Sequence, residues 1–529
     1  MGMGRRIVIA TLTALVAISS LALCGLLAAS AGAADRLYWS QESSQQNPGS
    51  IAVADTTGAN GGTLNAAGSQ LVSPYGTALD PATGRIYFAD FTGGRIAYVN
   101  IDNSGGGVLN TGGALVNGPT GVSIDPVTRR IYWANIVQDI EWANLDGSGG
   151  GTLNTSGAST DGVGGVAVDR ATGRLWWTNG PPSLGIYYAN LDGSGGAAQL
   201  DTTGAPLFFP RGIAVDHVSG RVYWTNANGI AYANVDGSGG GGEIQFDNEF
   251  PNLNLTGLAI DQPAAHLYFP VSYSNAVIGS GLDGSNVGEI VMDGVTVQRP
   301  AFPSLLKVPA GAAAPGISGG PNVGSTLSCS EGDWAPDAVE AFRWQAPFSY
   351  AYKWTRNGEP IAGATSSTLA ADSVGTYRCE VTGTNPAGSA TQVSDPITIA
   401  QATCPDVSAK ASDFKPRRKR ADRPRAPGVR ARVSVGEPSR MEVDASISWK
   451  SGSGGKRTAD LGSRTLRNDG RRNLPFPLPK GIRDELPVGS KVTLKLSVVA
   501  TPLDDPDCVD PGTFKAELKT RVAIVNDPG

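Results

Sequence analysis

Few side chains in this chain of 529 residues are of the types that drive catalysis, and their spacing keeps them apart. The two histidines, His217 and His266, each lie between a recurrent Asp and an aromatic strand, at equivalent points of two successive repeats. Equivalent turns of neighbouring units are separated in space, so a shared metal site is not expected. There is no evident Gly-x-Ser-x-Gly elbow and no Gly-rich phosphate loop before a helix. The sequence therefore predicts no catalytic residue, no metal site and no cofactor.

Carboxylates alone could still support chemistry, because a pair of them can hydrolyse a glycosidic bond. An Asp closes a short Gly-x-apolar-x-Asp strand in five successive units: Asp80, Asp125, Asp169, Asp216 and Asp261. A catalytic residue needs to occur only once, whereas a scaffold residue recurs in every unit. The repetition favours a structural role, and a secreted lyase or sugar-acting hydrolase is the alternative.

Residues 1–34 have the layout of a secretory signal peptide. Arg5 and Arg6 precede a long apolar run, and the small residues 31–33 form a cleavage signal. The run is long enough to cross a membrane, so an uncleaved anchor is the alternative. After cleavage no segment could span a bilayer, and we expect a secreted or cell-surface protein.

Four cysteines remain after cleavage: Cys329, Cys379, Cys404 and Cys508. An even number in an extracellular chain predicts disulfides. No pair has the spacing of a zinc finger. Because none precedes Cys329, the long N-terminal part must be stabilised by its own core.

The net charge of −5 conceals an uneven distribution. Residues 401–529 contain 25 Lys and Arg against 16 Asp and Glu, a balance of +9 that leaves −14 for the rest. Such a basic region favours an acidic partner, and an anionic cell-wall polymer is one expectation. For its densest run, residues 415–420, a solvated loop is favoured, and binding of an anionic polymer is the alternative. Residues 415–432 contain no aromatic residue that could stack on a base, so nucleic acid is not expected as a partner.

A repeat dominates the first 300 residues or so. The opening glycines are spaced 45, 44, 47 and 45 residues apart: Gly76, Gly121, Gly165, Gly212 and Gly257. Alternating patterns and regular turns indicate four strands per unit, which is typical of propeller blades. An aromatic pair such as Tyr223 and Trp224 recurs at one strand position, and we predict that these rings fill the space between blades. Turns such as 146–149 lack the ligand pattern of a calcium loop, so we expect plain hairpins.

The unit 212–237 reads Gly-x-Ala-x-Asp, then Tyr-Trp-Thr-Asn, then Ile-x-x-Ala-x-Val-Asp-Gly. This pattern resembles the LDL-receptor class B, or YWTD, repeat. The resemblance implies a six-bladed β-propeller over residues 35–310. No epidermal-growth-factor module accompanies it, so a lipoprotein-receptor role does not transfer. The last Asp of the motif is kept at Asp90 and replaced in the other copies, by Asn135, Asn179, Asn226, Gln41 and Val271.

The first blade begins at its aromatic strand, residues 36–40, and therefore lacks an innermost strand. Segment 299–308 follows the sixth copy and has the length to supply that strand. We predict that it pairs with residues 37–40, because a closed ring leaves no exposed sheet edge.

A second pattern follows the propeller. Cys329, Trp354 and Cys379 are spaced 25 and 25 residues apart, and Tyr377 lies two residues before the last of them. These residues resemble a bacterial immunoglobulin-like domain. The resemblance implies a β-sandwich over residues 315–400 with a disulfide between Cys329 and Cys379.

Residues 401–529 are expected to form a small, basic C-terminal β domain, in the manner of a sandwich. Its Cys404 and Cys508 remain as the second expected disulfide pair. Alternating patterns predict strands over 429–435, 441–449, 492–500 and 514–525.

Ligands of propellers commonly meet the face formed by the loops that lead into the innermost strands and those that follow the second strands. The residue before each opening glycine is expected to point toward this mouth: Tyr75, Thr120, Gly164, Arg211 and Thr256. Aromatic residues that break the repeat add to the same face: Phe91, Phe208, Phe209 and Tyr273. Variation on a regular scaffold is where function tends to lie, and Tyr75 with Arg211 could grip a planar or anionic group. The alternative for Phe208 and Phe209 is packing against a neighbouring blade.

The sequence thus predicts an all-β chain: a six-bladed β-propeller, an immunoglobulin-like β-sandwich and a small C-terminal β domain. We expect a secreted or cell-surface binding or adhesion protein whose propeller recognises an extracellular protein or glycan. A secreted propeller enzyme and a passive structural protein of the envelope are the alternatives.

Overall fold

A computed structural model of the chain describes residues 34–44, 48–136, 139–246, 254–401, 407–411, 425–435, 439–468, 471–502 and 512–526. Within these ranges the regular structure is β-strand apart from short 3-10 turns: η1 Gln262–Ala264, η2 Val339–Ala341 and η3 Lys480–Ile482. The predicted all-β class is confirmed. No helix in the described ranges has the length and apolar character that crossing a membrane requires. The predicted signal peptide up to residue 33, Cys404, Cys508 and the run 415–420 lie outside the described residues.

Six blades of four strands form a β-propeller, and in one blade a fifth strand from a later part of the chain is added to the sheet. The first blade contains β1 Arg36–Gln41, β2 Ser50–Asp55 and β3 Gly62–Thr63. The second contains β4 Pro74–Asp80, β5 Arg85–Asp90, β6 Arg95–Asn100 and β7 Gly106–Val108. The third contains β8 Pro119–Asp125, β9 Arg130–Asn135, β10 Ile140–Asn144 and β11 Gly150–Thr152. The fourth contains β12 Val163–Asp169, β13 Arg174–Asn179, β14 Gly185–Asn190 and β15 Ala197–Gln199.

The remaining strands of the propeller complete the ring. The fifth blade contains β16 Ile213–Asp216, β17 Arg221–Thr225, β18 Ile230–Asn234 and β19 Gly242–Glu243. The sixth contains β20 Ala259–Asp261, β21 His266–Val271, β22 Ala276–Gly281 and β23 Gly288–Glu289. The innermost strand of the first blade is β24 Pro300–Leu306.

Strand β24 closes the ring as predicted. It pairs antiparallel with β1, with Leu37 opposite Leu305 and Tyr38 opposite Ser304. Each innermost strand contacts its neighbour in the series β4, β8, β12, β16, β20, and β24 contacts both β20 and β4. The two ends of the propeller are therefore joined within one sheet, which leaves no open blade edge between them.

The opening glycines recur because innermost strands approach each other closely at the central channel. A Cβ on Gly212 would lie 2.4 Å from the Cα of Gly257, and a Cβ on Gly257 would lie 2.6 Å from the Cα of Phe302. Backbone cannot move aside as a flexible side chain can, so only glycine fits at these contacts.

The recurrent aromatic pairs fill the spaces between blades, as predicted. Their rings are between 0% and 8% exposed, and both members are buried in all six blades: Tyr38, Trp39, Tyr87, Phe88, Tyr132, Trp133, Trp176, Trp177, Tyr223, Trp224, Tyr268 and Phe269. Such large buried rings supply much of the apolar surface that holds radially packed sheets together. They are unavailable for stacking on a ligand.

The replacement of Asp by Asn at the end of the second strand is explained by the hydrogen-bond partners of the two side chains. The carboxylate of Asp90 accepts two backbone N–H groups, from Val72 at 3.2 Å and Ser73 at 2.7 Å. Asn135 instead accepts one N–H, from Asn117, and donates to the carbonyl of Leu115 at 3.1 Å. A carboxylate has no proton to donate there, so the amide suits this loop better.

The chain divides into two compact units. The first contains residues up to Ala312 together with Trp334–Tyr350 and Thr382–Thr391. The second contains Ala313–Asp333, Ala351–Val381 and Gln392–Gly529. The propeller unit therefore includes a segment near residue 340 that carries no trace of the repeat.

The strands between residues 311 and 399 are short and mostly antiparallel. In chain order they are β25 Gly311–Ala313, β26 Ile317–Ser318, β27 Thr326–Cys329, β28 Asp333–Trp334, β29 Arg343–Trp344, β30 Ser349–Arg356, β31 Glu359–Pro360, β32 Thr368–Ala370, β33 Gly375–Asn385, β34 Gly388–Val393 and β35 Ile397–Ile399. One sheet has the order β26-β27-β32, and another has the order β31-β30-β33-β34 with β35 on β33.

A disulfide joins these two sheets. It links Cys329 of β27 to Cys379 of β33, as the resemblance implied. Trp354 is fully buried and donates its indole N–H to the carbonyl of Ser366 at 2.9 Å. The hydroxyl of Tyr377 donates to the carbonyl of Ser373 at 2.8 Å. The buried ring, the disulfide and the anchored hydroxyl fix the two sheets against each other.

Two four-stranded sheets make up the described C-terminal residues. The strands are β36 Val407–Ala411, β37 Arg425–Val435, β38 Ser439–Lys450, β39 Lys456–Asn468, β40 Arg471–Pro477, β41 Lys491–Pro502, β42 Gly512–Arg521 and β43 Ala523–Asn526. One sheet has the order β36-β37-β40 with β43 on β37, and the other has the order β39-β38-β41-β42. One face of each sheet contributes to a common apolar core with Val433, Val443 and Leu494 at 0% exposure. Three of the four strands predicted here are confirmed, and the fourth, 514–525, is divided between β42 and β43, which belong to different sheets.

Candidate functional site

The central channel has two different ends, because all innermost strands run in the same direction. The end at which these strands begin is called the mouth here. The end at which they finish, at the recurrent aspartates, is called the Asp end. The sequence placed the ligand site at the mouth.

Arg211 and Tyr75 meet at the mouth. The guanidinium Nη1 of Arg211 donates to the hydroxyl of Tyr75 at 3.3 Å. Tyr75 belongs to the second blade and Arg211 to the loop before the innermost strand of the fifth, and these blades face each other across a ring of six. The contact therefore spans the channel, and both residues are half-buried there.

The phenol of Tyr75 has an aromatic wall beside it. Its ring centroid lies 5.2 Å from that of Phe302 and 6.3 Å from that of Phe91. Phe302 sits in β24 with a φ of 40°, a conformation that bulky residues rarely adopt. Burial raises the pKa of Tyr75, so the hydroxyl stays protonated and can both donate and accept a hydrogen bond.

An ion pair stands close to this contact. Arg299 Nη2 lies 2.7 Å from Glu42 Oε2, and the Glu42 side chain is only 11% exposed. Burial raises the pKa of Glu42, and the positive charges of Arg299 and Arg211 oppose that rise. The mouth thus holds two guanidinium groups and one carboxyl group, so positive charge predominates.

Arg211 has unused hydrogen-bonding capacity. Its guanidinium carries five N–H donors in a rigid planar fork. Among the described residues, Tyr75 is the acceptor for its side chain, over a long 3.3 Å hydrogen bond. A carboxylate or phosphate would satisfy the remaining donors better than a phenol does, because charge-assisted pairs are shorter and stronger.

Two of the predicted mouth residues serve the scaffold instead. Thr120 is 4% exposed and its hydroxyl donates to the carbonyl of Val163 in the next blade at 3.1 Å. Thr256 is fully buried and donates to the carbonyl of Pro300 at 3.0 Å. Their hydroxyls thus bond across blades rather than reach the channel. At Gly164 a Cβ would meet the Cα of Arg211 at 2.9 Å, so this position admits no side chain.

The remaining predicted residues form an exposed apolar rim. Phe208 and Phe209 are 53% and 48% exposed, and their rings meet edge to face with centroids 5.2 Å apart. Tyr273 is 73% exposed. Phe209 has a φ of 52°, so the loop holds its ring in an unfavoured backbone conformation. These rings remain in contact with solvent rather than packing into a neighbouring blade.

The Asp end is occupied by contacts between blades. Arg129 Nη2 donates to Asp80 at 2.7 Å, and Arg170 Nη1 donates to Asp125 at 3.1 Å. His217 Nε2 lies 2.7 Å from Asp169. In each of these three pairs the basic side chain comes from the blade that follows the Asp, so these three carboxylates join neighbouring blades.

A segment of 338–345, called the plug here, closes the Asp end. Its strand β29 pairs parallel with β24, with Trp344 beside Leu306, and its turn η2 contacts β8, β12, β16 and β20. Phe342 and Trp344 are 5% and 2% exposed. The plug thus touches the innermost strands of five blades, and access to the channel is left at the mouth.

Charged groups of the plug extend this set of contacts. Arg343 is 8% exposed and donates to Gln345 Oε1 at 2.7 Å. Burial is the largest influence on Glu340 and raises its pKa, against the opposing charges of His217 and Arg343.

Sequence reasoning missed the plug altogether, because it has no repeat and no unusual composition. It also missed Glu42, Arg299 and Phe302, which do not occupy the position before an opening glycine.

The second histidine is also accounted for by its neighbours. His266 packs on Tyr268 with ring centroids 5.0 Å apart, and burial lowers the pKa of the imidazole. Within the described ranges, no group of three or more His, Cys, Asp or Glu residues is arranged to hold a metal ion.

Comparisons with known proteins give likenesses of fold at low identity. No protein-family model matches the chain, and no curated protein matches it. Among solved structures, a nidogen/laminin complex is 18% identical over 51% of this chain and 98% of the other, with a TM-score of 0.42. A putative gluconolactonase is 13% identical over 52% and 87%, with a TM-score of 0.35. A putative TolB from Agrobacterium tumefaciens is 12% identical over 51% and 97%, with a TM-score of 0.34. Identities of this size assign no activity to the chain.

Proposed function

We propose that this protein is an extracellular binding or adhesion protein and that its propeller binds an anionic group of a glycan or protein ligand at the mouth. The observation that carries the proposal is the guanidinium of Arg211, held half-buried across the channel by a long hydrogen bond to a neutral phenol. A scaffold arginine in the same propeller behaves differently, since Arg129 grips a buried carboxylate with two nitrogens.

The surroundings of Arg211 define the ligand that fits. Tyr75 and Phe91 offer ring surface beside the guanidinium, the buried Phe302 packs against Tyr75, and Phe208 with Tyr273 extends apolar surface outward. Aromatic faces are suited to the flat apolar sides of sugars or to aliphatic side chains. A uronic-acid glycan or an acidic peptide loop would place a carboxylate at Arg211 and its remaining surface along the rim.

We further propose that the propeller is of the YWTD type and that residues 315–400, apart from the plug, form an immunoglobulin-like domain. The Tyr-Trp-Thr-Asn motif at 223–226 supports the first assignment. The Cys329–Cys379 disulfide, buried Trp354 and anchored Tyr377 support the second. Export is proposed from the layout of residues 1–34, and N-terminal sequencing of protein recovered from the culture medium tests it.

The ligand class is tested by binding of the full chain to an array of acidic and neutral glycans, with purified cell wall as a second probe. The proposal expects signal on uronic-acid glycans that Arg211→Gln abolishes and Tyr75→Phe weakens. Arg170→Gln is the matched control, because Arg170 pairs with Asp125 at the Asp end of the same propeller. Signal that is equal for acidic and neutral sugars, or unchanged in Arg211→Gln, would overturn the assignment.

A further inference from the structure

The C-terminal sheet β39-β38-β41-β42 carries a line of positive charge on its outer face. Lys450 of β38 stands opposite Lys456 of β39, and Lys491 of β41 stands opposite Arg521 of β42. The two central strands pair with Ser448 opposite Thr493, so the same register places Lys450 beside Lys491. Four cations from four strands therefore stand side by side, and they are called the cationic row here.

Neighbouring strands are separated by about 4.8 Å, so the cationic row is about 14 Å long. All four side chains are exposed. None of the four has a carboxylate within ion-pair distance among the described residues, and Arg521 donates to the neutral carbonyl of Gly489 at 2.9 Å. Like charges opposite one another destabilise a sheet, so the row is unfavourable for folding.

The same face shows what a neutralised arrangement looks like. Four residues further along each strand, Lys495 of β41 is paired with Glu517 of β42. The two side chains of that pair carry opposite charges on neighbouring strands, which is a favourable cross-strand arrangement. The cationic row has no such pairing among the described residues.

The cationic row borders a groove of about 790 Å³. Its floor is polar, with the hydroxyls of Ser448 and Thr493 between the charged side chains. Lys519 adds a fifth cation, and Glu517, which pairs with Lys495, adds one carboxylate to the lining. The aromatic residue of the lining, Trp449, is only 7% exposed and belongs to the core. A ring that is buried cannot stack on a base or sugar, so recognition here depends on charge and hydroxyl donors.

We propose that the cationic row binds a linear polymer of phosphate groups, such as a polyphosphate or a phosphodiester-linked wall polymer. Lysine ammonium groups act as point charges with three donors each and bind phosphate without needing a fixed angle. A line of equally spaced cations matches a chain of repeated anions better than a single ion. The site lies in the C-terminal sheet and is independent of the ligand proposed for the propeller.

The test measures binding of the full chain to inorganic polyphosphate over a series of salt concentrations. The variant K450Q/K491Q should bind at least about tenfold more weakly at low salt, because counterion release scales with the number of phosphates neutralised. Its salt dependence should be shallower by a slope of about 1.4. The matched control is K480Q/K515Q, which removes two exposed lysines of the same domain that lie outside the groove and should change affinity less than about twofold.

Further measurements distinguish a lost charge from a disturbed fold and identify the polymer. K450R/K491R keeps the charge and should retain binding, which distinguishes a lost cation from a disturbed fold. A phosphodiester-linked polymer of glycerol phosphate should compete with polyphosphate if the wall polymer is the source. Equal losses of affinity in K450Q/K491Q and K480Q/K515Q would show that only the net charge of the domain matters, which would overturn the proposal. It also fails if orthophosphate competes at equal phosphate concentration, or if heparin binds more tightly at equal charge.

Discussion

The two ends of the propeller channel use the same kinds of residue for opposite purposes. At the Asp end, Arg129 and Arg170 are committed to carboxylates of the preceding blade, and the plug covers five innermost strands. At the mouth, Arg211 has a single long hydrogen bond to a phenol, and Phe208 is half exposed. A charged or aromatic residue in this propeller therefore serves the scaffold when its surroundings satisfy it, and is available to a ligand when they do not.

The largest contrast is expected between two aromatic residues at the opposite ends. Trp344→Ala in the plug removes a side chain that is 2% exposed and should lower the free energy of unfolding by about 3–5 kcal/mol. Phe208→Ala at the rim removes one that is 53% exposed and should change it by less than about 0.5 kcal/mol. Denaturant unfolding followed by tryptophan fluorescence, with calorimetry to resolve the propeller transition, measures both. Similar losses for the two variants would show that the rim is part of the core.

The next contrast concerns arginines. Arg129→Gln leaves the fully buried carboxylate of Asp80 without its cation and should cost about 2 kcal/mol, below the full penalty for a buried pair because Arg129 is itself partly exposed. The double variant Arg129→Gln, Asp80→Asn should recover part of that loss. If Arg129→Gln melts like the wild type, the ion pairs between blades do not hold the Asp end together.

A smaller effect is expected from the titration of the plug. The pKa of Glu340 is raised by burial above the ordinary value of 4.5, so the folded state binds its proton more tightly than the unfolded state does. Stability should therefore fall as pH rises from about 4.5 through the raised pKa. Glu340→Gln removes this loss, so its melting temperature should exceed that of the wild type at pH 7 and match it near pH 4. The exposed Glu289→Gln is the control and should show no such convergence.

Much of the propeller could be predicted because repetition exposes its physical requirements. Gly257 recurs because a Cβ there would collide with Phe302, and Trp224 recurs because a gap between blades must be filled. The closing strand β24 could be found by counting strands, although it has no repeat motif. Each of these features is set by local geometry that is the same in every blade.

The mouth could be predicted only in part, because it is assembled from residues that no local rule connects. Tyr75 and Arg211 stand at equivalent repeat positions, yet so does Thr120, whose short hydroxyl bonds to the next blade. Glu42 and Arg299 come from the two ends of the propeller and meet because the ring closes. The plug and the cationic row likewise arise from contacts and register that cannot be read from spacing along the chain.

The most direct test of the central claim measures ligand affinity and melting temperature in Arg211→Gln and Arg129→Gln side by side. The ligand is the strongest uronic-acid glycan from the array, titrated at a temperature at which both variants are folded. We predict that Arg211→Gln loses binding by at least about tenfold, the worth of one charged hydrogen-bonding contact, and keeps the wild-type melting temperature. Arg129→Gln should keep the affinity and melt earlier. Arg211→Gln that binds normally, or that loses binding only through a lower melting temperature, would contradict the assignment of the mouth as the ligand site.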